Sequence, residues 1–380
     1  MSSLRVFVSA GEASGDRHAA GLVRALRKRV PDLEVRGLGG PELKAEGAVL
    51  LAEIDELAAL GFSEVIRRLP FFTKLMSRVT ADIEAWQPHV VVPVDYPGFN
   101  LRLARRARAR HVPVVYYIAP QVWAWRPERR PGIARAVDHL LVVFPFEEPL
   151  FREAGIATTF VGHPLLDASG SQSRETVRQR LGVTDRERLL ALLPGSRAQE
   201  VAAILPVLVR GVAALTARKP VRVVVSRAPS LPPQVYAAAQ TQGLTLWEDS
   251  AGDLAGAADA ALVASGTATL ETGLRGTPMA VVYRTGSVNW HLAKVLVKIR
   301  TIGLVNIAAG GHRVPELLQD DFTPGRVADV AERLLFDPQE ANEQRAYLAQ
   351  LSAKLGGRGA ADRAAEAVLE AIGVRREVAP

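Results

Sequence analysis

Short uninterrupted runs of Val, Leu and Ile alternate along most of the chain with longer stretches in which apolar positions recur every three or four residues. The continuous runs predict strands buried on both faces, and the longer periodicity predicts amphipathic helices. In the first half, strands are expected at Leu4–Ala10, Glu34–Leu38, Val90–Asp95, Pro113–Ile118, His139–Phe144 and Thr158–Val161. In the second half they are expected at Leu189–Leu193, Val221–Ser226, Leu244–Trp247, Ala260–Ala264 and Met279–Tyr283. Strands that alternate with helices build parallel sheets, so the pattern predicts an α/β protein of two doubly wound, Rossmann-like domains. A chain of 380 residues with 48% hydrophobic content exceeds what one core usually sustains, in agreement with two.

The first domain is expected over 1–165. Residues 166–186 contain SGSQS and little apolar periodicity, which predicts a linker, and the second domain follows over 187–335. Residues 336–380 are helical and Ala-rich, broken at Gly356 and Gly357, and are placed to pack back on a first domain, that of this chain or of a neighbour. No repeat of 20 to 50 residues is visible.

No run of eighteen apolar residues occurs, and the N-terminus enters a strand without a basic or long hydrophobic leader, which predicts a cytoplasmic protein without a membrane span. The absence of cysteine removes disulfides, thiolate metal sites and cysteine nucleophiles. A net charge of +7 is gathered in arginine patches at Arg102, Arg105, Arg106, Arg108 and Arg110 and at Arg126, Arg129, Arg130 and Arg135. Such surfaces meet nucleic acid, anionic lipid or phosphorylated substrates, but the chain lacks any RNP-like, zinc-finger or helix-turn-helix signature, so no nucleic-acid partner is expected.

The candidate chemistry sits where predicted strands end. LLPGSRAQEV and ASGTATLE each lead an apolar run through a Gly/Ser/Thr turn into a helix, presenting backbone N–H groups and a positive helix end to an anion. The turns comprise Gly195, Ser196 and Arg197, and Ser265, Gly266 and Thr267. Arg197 can fork onto diphosphate oxygens, and Glu271 can accept both hydroxyls of a ribose, which is the chemistry of a sugar-nucleotide donor site.

In the first half, SAGEASGD places Glu12, Ser14, Gly15 and Asp16 after the first strand, without G-x-G-x-x-G spacing or a Walker lysine. Asp95 ends a buried strand ahead of Pro97, Gly98 and Asn100, where it can act as a base or as a helix cap. Gln121 and Trp123 follow another strand, and His163 closes the domain where it can face an interdomain cleft; with Glu12, Ser14, Gly15, Asp16 and Asn100 they are the candidates for an acceptor site or cleft. No Asp-x-Asp and no H-E-x-x-H spacing occurs, so neither metal nor cofactor is expected.

Phe62, Val65, Ile66, Leu69, Phe72, Met76 and Val79 recur at helical spacing, with Arg67, Arg68, Lys74 and Arg78 between them and Pro70 interrupting. The pattern serves either a core-facing helix or a segment lying in a bilayer interface. Trp290 to Arg300 shares that ambiguity.

Taken in order, SAGEASGD, GLGGPELKAEG, GFSEVIRRLP, VDYPGFN, APQVWAW, VGHP, LLPGSRAQEV, ASGTATLE and VPELLQ resemble the lipid-A-disaccharide synthase family, inverting glycosyltransferases of GT-B architecture. The likeness runs from about Arg5 to about Gln319. It implies two domains facing an interdomain cleft, and transfer from UDP-2,3-diacylglucosamine to 2,3-diacylglucosamine 1-phosphate, giving a β(1→6) disaccharide phosphate and UDP. It implies Asp95 as general base on the acceptor 6-hydroxyl, Arg197 on the departing diphosphate, Glu271 on the uridine ribose and Asn306 in the donor site. It also implies that residues 62–79 rest peripherally on the inner face of the cytoplasmic membrane; the oligomeric state stays open, a homodimer among the alternatives.

Three positions depart from the family pattern: Gly98 where a second acid is usual, Ala119 where serine is, and Val305 where proline is. Two other readings stand beside this one. One is a further UDP-sugar enzyme of the same architecture, a UDP-N-acetylglucosamine 2-epimerase or a soluble glycosyltransferase; the other is a non-catalytic basic protein of membranes or nucleic acid.

Overall fold

The computed structural model describes residues 3–57, 69–125, 127–167, 172–184, 186–286 and 301–373. The chain folds as two compact units, Met1–Asp167 with Leu355–Pro380, and Ala168–Lys354.

The first unit carries a seven-stranded sheet, β1 (Leu4–Ala10), β2 (Leu33–Gly39), β3 (Val49–Glu53), β4 (Val90–Val94), β5 (Val115–Tyr117), β6 (His139–Val142) and β7 (Thr158–Phe160). The strands are all parallel in the order β3-β2-β1-β4-β5-β6-β7. Burial explains the composition of the central strands: every residue of Val90–Val94 is buried, and so are Val6, Phe7 and Val8. Phe7, Leu38, Val91, Tyr116 and Leu140 meet Met76, Val79 and Ile83 of the helix Leu69–Trp86 in one core.

The second unit carries β8 (Arg188–Leu193), β9 (Val221–Ser226), β10 (Thr245–Trp247), β11 (Ala260–Ala264), β12 (Met279–Tyr283) and β13 (Glu316–Leu318). These are parallel in the order β10-β9-β8-β11-β12-β13. Its core joins Leu190, Leu192, Leu262 and Val282 to Val201, Leu205 and Leu208 of the helix Ala198–Thr216. That helix is long and apolar enough to cross a membrane by length and composition, yet half of its most apolar window is buried in the unit.

Eleven expected strands are present with their ends within two residues of those expected, while β3 and β13 were not foreseen. Both are short edge strands, Val49–Glu53 with Ala52 alone buried and Glu316–Leu318 only three residues long, so pairing with β2 and β12 creates them more than their own pattern does.

The segment expected as a linker is corrected. It holds a helix, Arg174–Arg180, capped by the Ser173 hydroxyl and tied through Arg174 and Arg178 to Asp259 of the second unit. The C-terminal region divides as well: Pro338–Ala349 and Leu351–Lys354 belong to the second unit, and only Leu355 onward returns to the first. There the helix Ala360–Ala371 lies on the helix Ala13–Arg29, joined by an Arg29–Asp362 ion pair of 2.8 Å.

Candidate active site

In both units the strand order reverses direction beside the first strand, between β1 and β4 and between β8 and β11. Loops leaving neighbouring carboxyl ends diverge at such a point and leave a crevice, the usual place for a ligand in an open α/β sheet. The sequence candidates fall at these two points: 9–16 and Asp95 in the first unit, 195–197 and 265–271 in the second.

Asp95 follows β4 with φ of 47°, and Tyr96 continues with φ of 51°. Two consecutive non-glycine residues in the left-handed region are strained, and such strain persists only where surrounding bonds over-determine it. Here the Asp95 N–H donates to the Tyr117 carbonyl at 3.0 Å, and the Asp95 carbonyl accepts from the Tyr116 hydroxyl at 2.6 Å and from Asn100 Nδ2 at 2.8 Å. The backbone is thereby held, with Asp95 half-buried just past the carboxyl end of β4. Burial, reinforced by the Asp95 charge, lifts the Tyr116 phenol well above its usual pKa, so it stays a donor.

Several residues expected to face an acceptor are instead consumed by the fold. Asp16 is 1% exposed, and its carboxylate accepts the N–H groups of Gly40, Glu42 and Leu43 at 2.7, 3.0 and 3.2 Å, capping the helix Pro41–Ala45. Asn100 is fully buried; its Nδ2 donates to the Ser9 and Val94 carbonyls as well as to Asp95, and its Oδ1 accepts from the Ser9 hydroxyl at 2.7 Å. It acts on the site only by bracing Asp95.

His163 is buried too. Its Nδ1 accepts the Leu165 N–H at 3.2 Å, and its ring lies 6.5 Å from His18 and 5.4 Å from Phe144. Burial, with the neighbouring His18, lowers its pKa to about 3, so it caps a turn as a neutral ring. Glu12 and Gln121 are exposed, Ser14 is half-buried, and Gly15 leaves ordinary room for a side chain. Gly11 does not, because the Tyr96 ring stands 2.3 Å from where its Cβ would lie. Trp123 is partly buried, its indole N–H donating to Glu147 at 2.9 Å.

In the second unit, Gly195 has φ of +114°, and a Cβ there would stand 2.7 Å from a Glu200 carboxylate oxygen. The turn ends on Arg197, which precedes the first turn of the helix Ala198–Thr216. Its side chain is half exposed and pairs with Glu200 at 2.8 Å, an exposed i,i+3 pair of the kind that exchanges partners at little cost. Ser196 is exposed. Gly266, with φ of +153°, precedes the helix Thr267–Leu274, and the Ser265 hydroxyl donates to the Ile302 carbonyl at 2.9 Å. Thr267 and Glu271 are half-buried, and Glu271 lies against Gly252, whose Cβ would stand 2.3 Å from its carboxylate.

Asn306 is corrected from ligand contact to brace. Its amide is buried, donating to the Val314 carbonyl at 2.8 Å and Glu316 at 2.9 Å and accepting the Val314 N–H at 3.1 Å. Glu316, which the sequence did not single out, also accepts from the Thr301 hydroxyl and the Ile302 and Gly303 amides. Glu147 was missed likewise. A carboxylate in the third position of PFEE carries no local signal, and only the approach of Trp123 from a neighbouring connection marks it.

Of the expected membrane residues, Phe62, Val65, Ile66, Arg67 and Arg68 lie outside the described residues, as do Trp290 to Arg300. Leu69 is 44% exposed, Phe72 is partly buried against Phe71 and Phe99, and Met76 is in the core. Met76 is therefore corrected to a packing residue, because it falls on the inward face of the helix Leu69–Trp86.

A family model described as lipid-A-disaccharide synthetase matches residues 6–371. The chain belongs to the lipid-A-disaccharide synthase family. Among its relatives, the lipid-A-disaccharide synthase of Myxococcus xanthus is 42% identical over 373 residues, 97% of each chain. That of Syntrophus aciditrophicus is 41% identical over 378 residues, 98% of this chain and 99% of its own. The fold is of GT-B type: a putative UDP-N-acetylglucosamine 2-epimerase from Listeria monocytogenes superposes with a TM-score of 0.71 at 16% identity, over 99% of this chain and 98% of that one. The calicheamicin glycosyltransferase CalG4 does so with 0.62 at 19% identity over all of both. Family membership thus separates this chain from the epimerases, with which it shares architecture alone.

Proposed function

We propose that the protein transfers the diacylglucosaminyl group of UDP-2,3-diacylglucosamine to the 6-hydroxyl of 2,3-diacylglucosamine 1-phosphate. A bond forms between that oxygen and the donor anomeric carbon with inversion, the bond to the diphosphate breaks, and UDP leaves. The observation that carries this reading is identity near 40% along almost the whole chain to proteins named for that synthesis.

Asp95 takes the proton of the attacking hydroxyl; its support is the strained, triply hydrogen-bonded backbone that holds it at the rim. The amides of 195–197 and the Arg197 guanidinium take up charge developing on the diphosphate, and Glu271 receives the ribose hydroxyls. Positioning and charge stabilisation supply most of the acceleration. We extend the proposal to a peripheral seat on the inner membrane face, supported by exposed Leu69, Lys74 and Arg78 on one helix. Anionic liposomes should retain the protein, and Leu69→Asp with Lys74→Glu should release it; unchanged co-sedimentation would remove this helix from membrane contact.

Mass spectrometry of the product from the two synthetic lipids tests the activity, with the disaccharide 1-phosphate expected and no product refuting it. Asp95→Asn should lower turnover by about 10²–10⁴-fold with UDP affinity nearly unchanged. Arg197→Ala should weaken UDP binding by roughly tenfold or more. Undiminished turnover in the first, or undiminished affinity in the second, removes that residue from its role.

A further inference from the structure

We propose that Glu147 is a positioning residue for the acceptor: it clamps the Trp123 indole into an aromatic ledge that seats the acceptor sugar ring beside Asp95. This deepens the function proposed above and rests on it.

Glu147 is 1% exposed. One carboxylate oxygen accepts the Trp123 indole N–H at 2.9 Å, and the other accepts the Phe144 N–H at 3.1 Å, while the Glu147 N–H returns to the Phe144 carbonyl at 3.1 Å. Trp123 belongs to the single-turn helix Val122–Trp125 that follows β5 and Phe144 to the loop after β6, so one carboxylate bolts together two neighbouring connections at the carboxyl edge. An amide has a single acceptor oxygen and cannot accept both bonds without turning an N–H against one donor.

What the bolt holds in place is aromatic. Trp123 meets Phe146 edge to face with centroids 5.0 Å apart, and Phe146 stacks on Phe144 at 5.6 Å and an interplanar angle of 17°. Phe146 remains 37% exposed and Trp123 partly so, leaving a ledge of ring surface on the rim. Asp95 directly follows β4, the strand next to β5, and its charge is felt at both Glu147 and Tyr116. The carbon–hydrogen faces of a pyranose suit such rings, and a ring seated there would present a hydroxyl to the base.

Burying a carboxylate is costly, and helix capping alone does not demand it, since an exposed acid caps as well. Burial, in part offset by the bonds from Trp123 and Phe144, raises the pKa of Glu147 to about 7.

The test is initial-rate UDP release by the full-length protein, with each lipid varied in turn. Glu147→Gln should lower kcat/KM for the acceptor by about tenfold or more while donor KM stays within about twofold. Trp123→Phe, which keeps an aromatic ring but removes the indole N–H together with the pyrrole half of the bicycle, should do the same, and the double variant should be little worse than either. If Glu147→Gln fails to fold, Trp123→Phe decides alone. Unchanged acceptor kinetics in a folded variant, or losses shared equally by donor and acceptor, would overturn the positioning role. A wild-type protein that released no UDP would overturn the function itself, and this role with it.

Discussion

Four buried titratable side chains of the first unit behave differently because of what surrounds them. Asp16 finds three backbone donors at the start of a helix and is a cap. His18 and His163 stand edge to face at 6.5 Å, and burial, with Arg17 acting on His18 and His18 on His163, brings them to about 4 and about 3, so both are neutral in the fold. The stability they confer is complete above 6.5, the value of an unburied imidazole, and is lost as pH falls through 4 and 3, by up to about 1.4 kcal/mol per pH unit for each ring. His163→Asn, which can still accept the Leu165 N–H, should therefore show a shallower loss of unfolding free energy between pH 6.5 and 4; an identical slope would mean that the ring is already charged. Glu147 carries the opposite sign. Raised from 4.5 to about 7, it contributes stability below 4.5 that disappears as pH rises through 7. Denaturant titrations from pH 4.5 to 8 should show this decline in the wild type and its absence in Glu147→Gln.

At the scale of elements, strand runs and their terminal turns were legible because both are local. A strand covered on two faces must be apolar throughout, and a chain that turns into a helix at a sheet edge requires Gly, Ser, Thr or Asp there. Contacts between elements were not legible. Gly252 gave no sign in the sequence, yet its missing side chain makes the space in which the Glu271 carboxylate lies. Its backbone is ordinary, so Gly252→Ala should fold and displace Glu271. UDP affinity measured by calorimetry should fall by about tenfold, consistent with loss of two charge-assisted bonds. Unaltered affinity would detach Glu271 from the nucleotide. The helix Leu69–Trp86 shows the same limit: its spacing fitted core and membrane equally, and packing placed Met76 and Val79 inside and left Leu69 out.

For the whole molecule, the decisive feature is that the chain leaves the first unit at Asp167 and completes it again from Leu355. Gly356 and Gly357, both at positive φ, make the return, and Asp167 then accepts the Gly359 and Ala361 amides at 2.5 and 2.9 Å. Arg363 adds a bond to the Val161 carbonyl at 2.8 Å. The last helix buries Ala360, Ala364, Ala365, Ala367, Val368 and Leu369. Truncation after Lys354 should lower the melting transition of the first unit by about 10 °C, the consequence of losing several kilocalories of apolar burial, and leave that of the second unit in place. Scanning calorimetry would show it; a single unshifted transition would mean that the C-terminal helix is not part of the first unit's core.

The amino-acid order by itself determined the α/β class, the succession of most strands, and the two pairs of turns at which ligands are expected, since each follows from preferences expressed within a few residues. Tertiary structure alone decided how the polar side chains in those turns are used. Asp16, Asn100, His163 and Asn306 are spent on hydrogen bonds within the fold, whereas Asp95 is held at a rim by donors from Tyr116 and Asn100. Most of those partners stand between eight and ninety-one residues away in sequence, and a hydrogen bond forms where folding brings its two ends within about 3 Å.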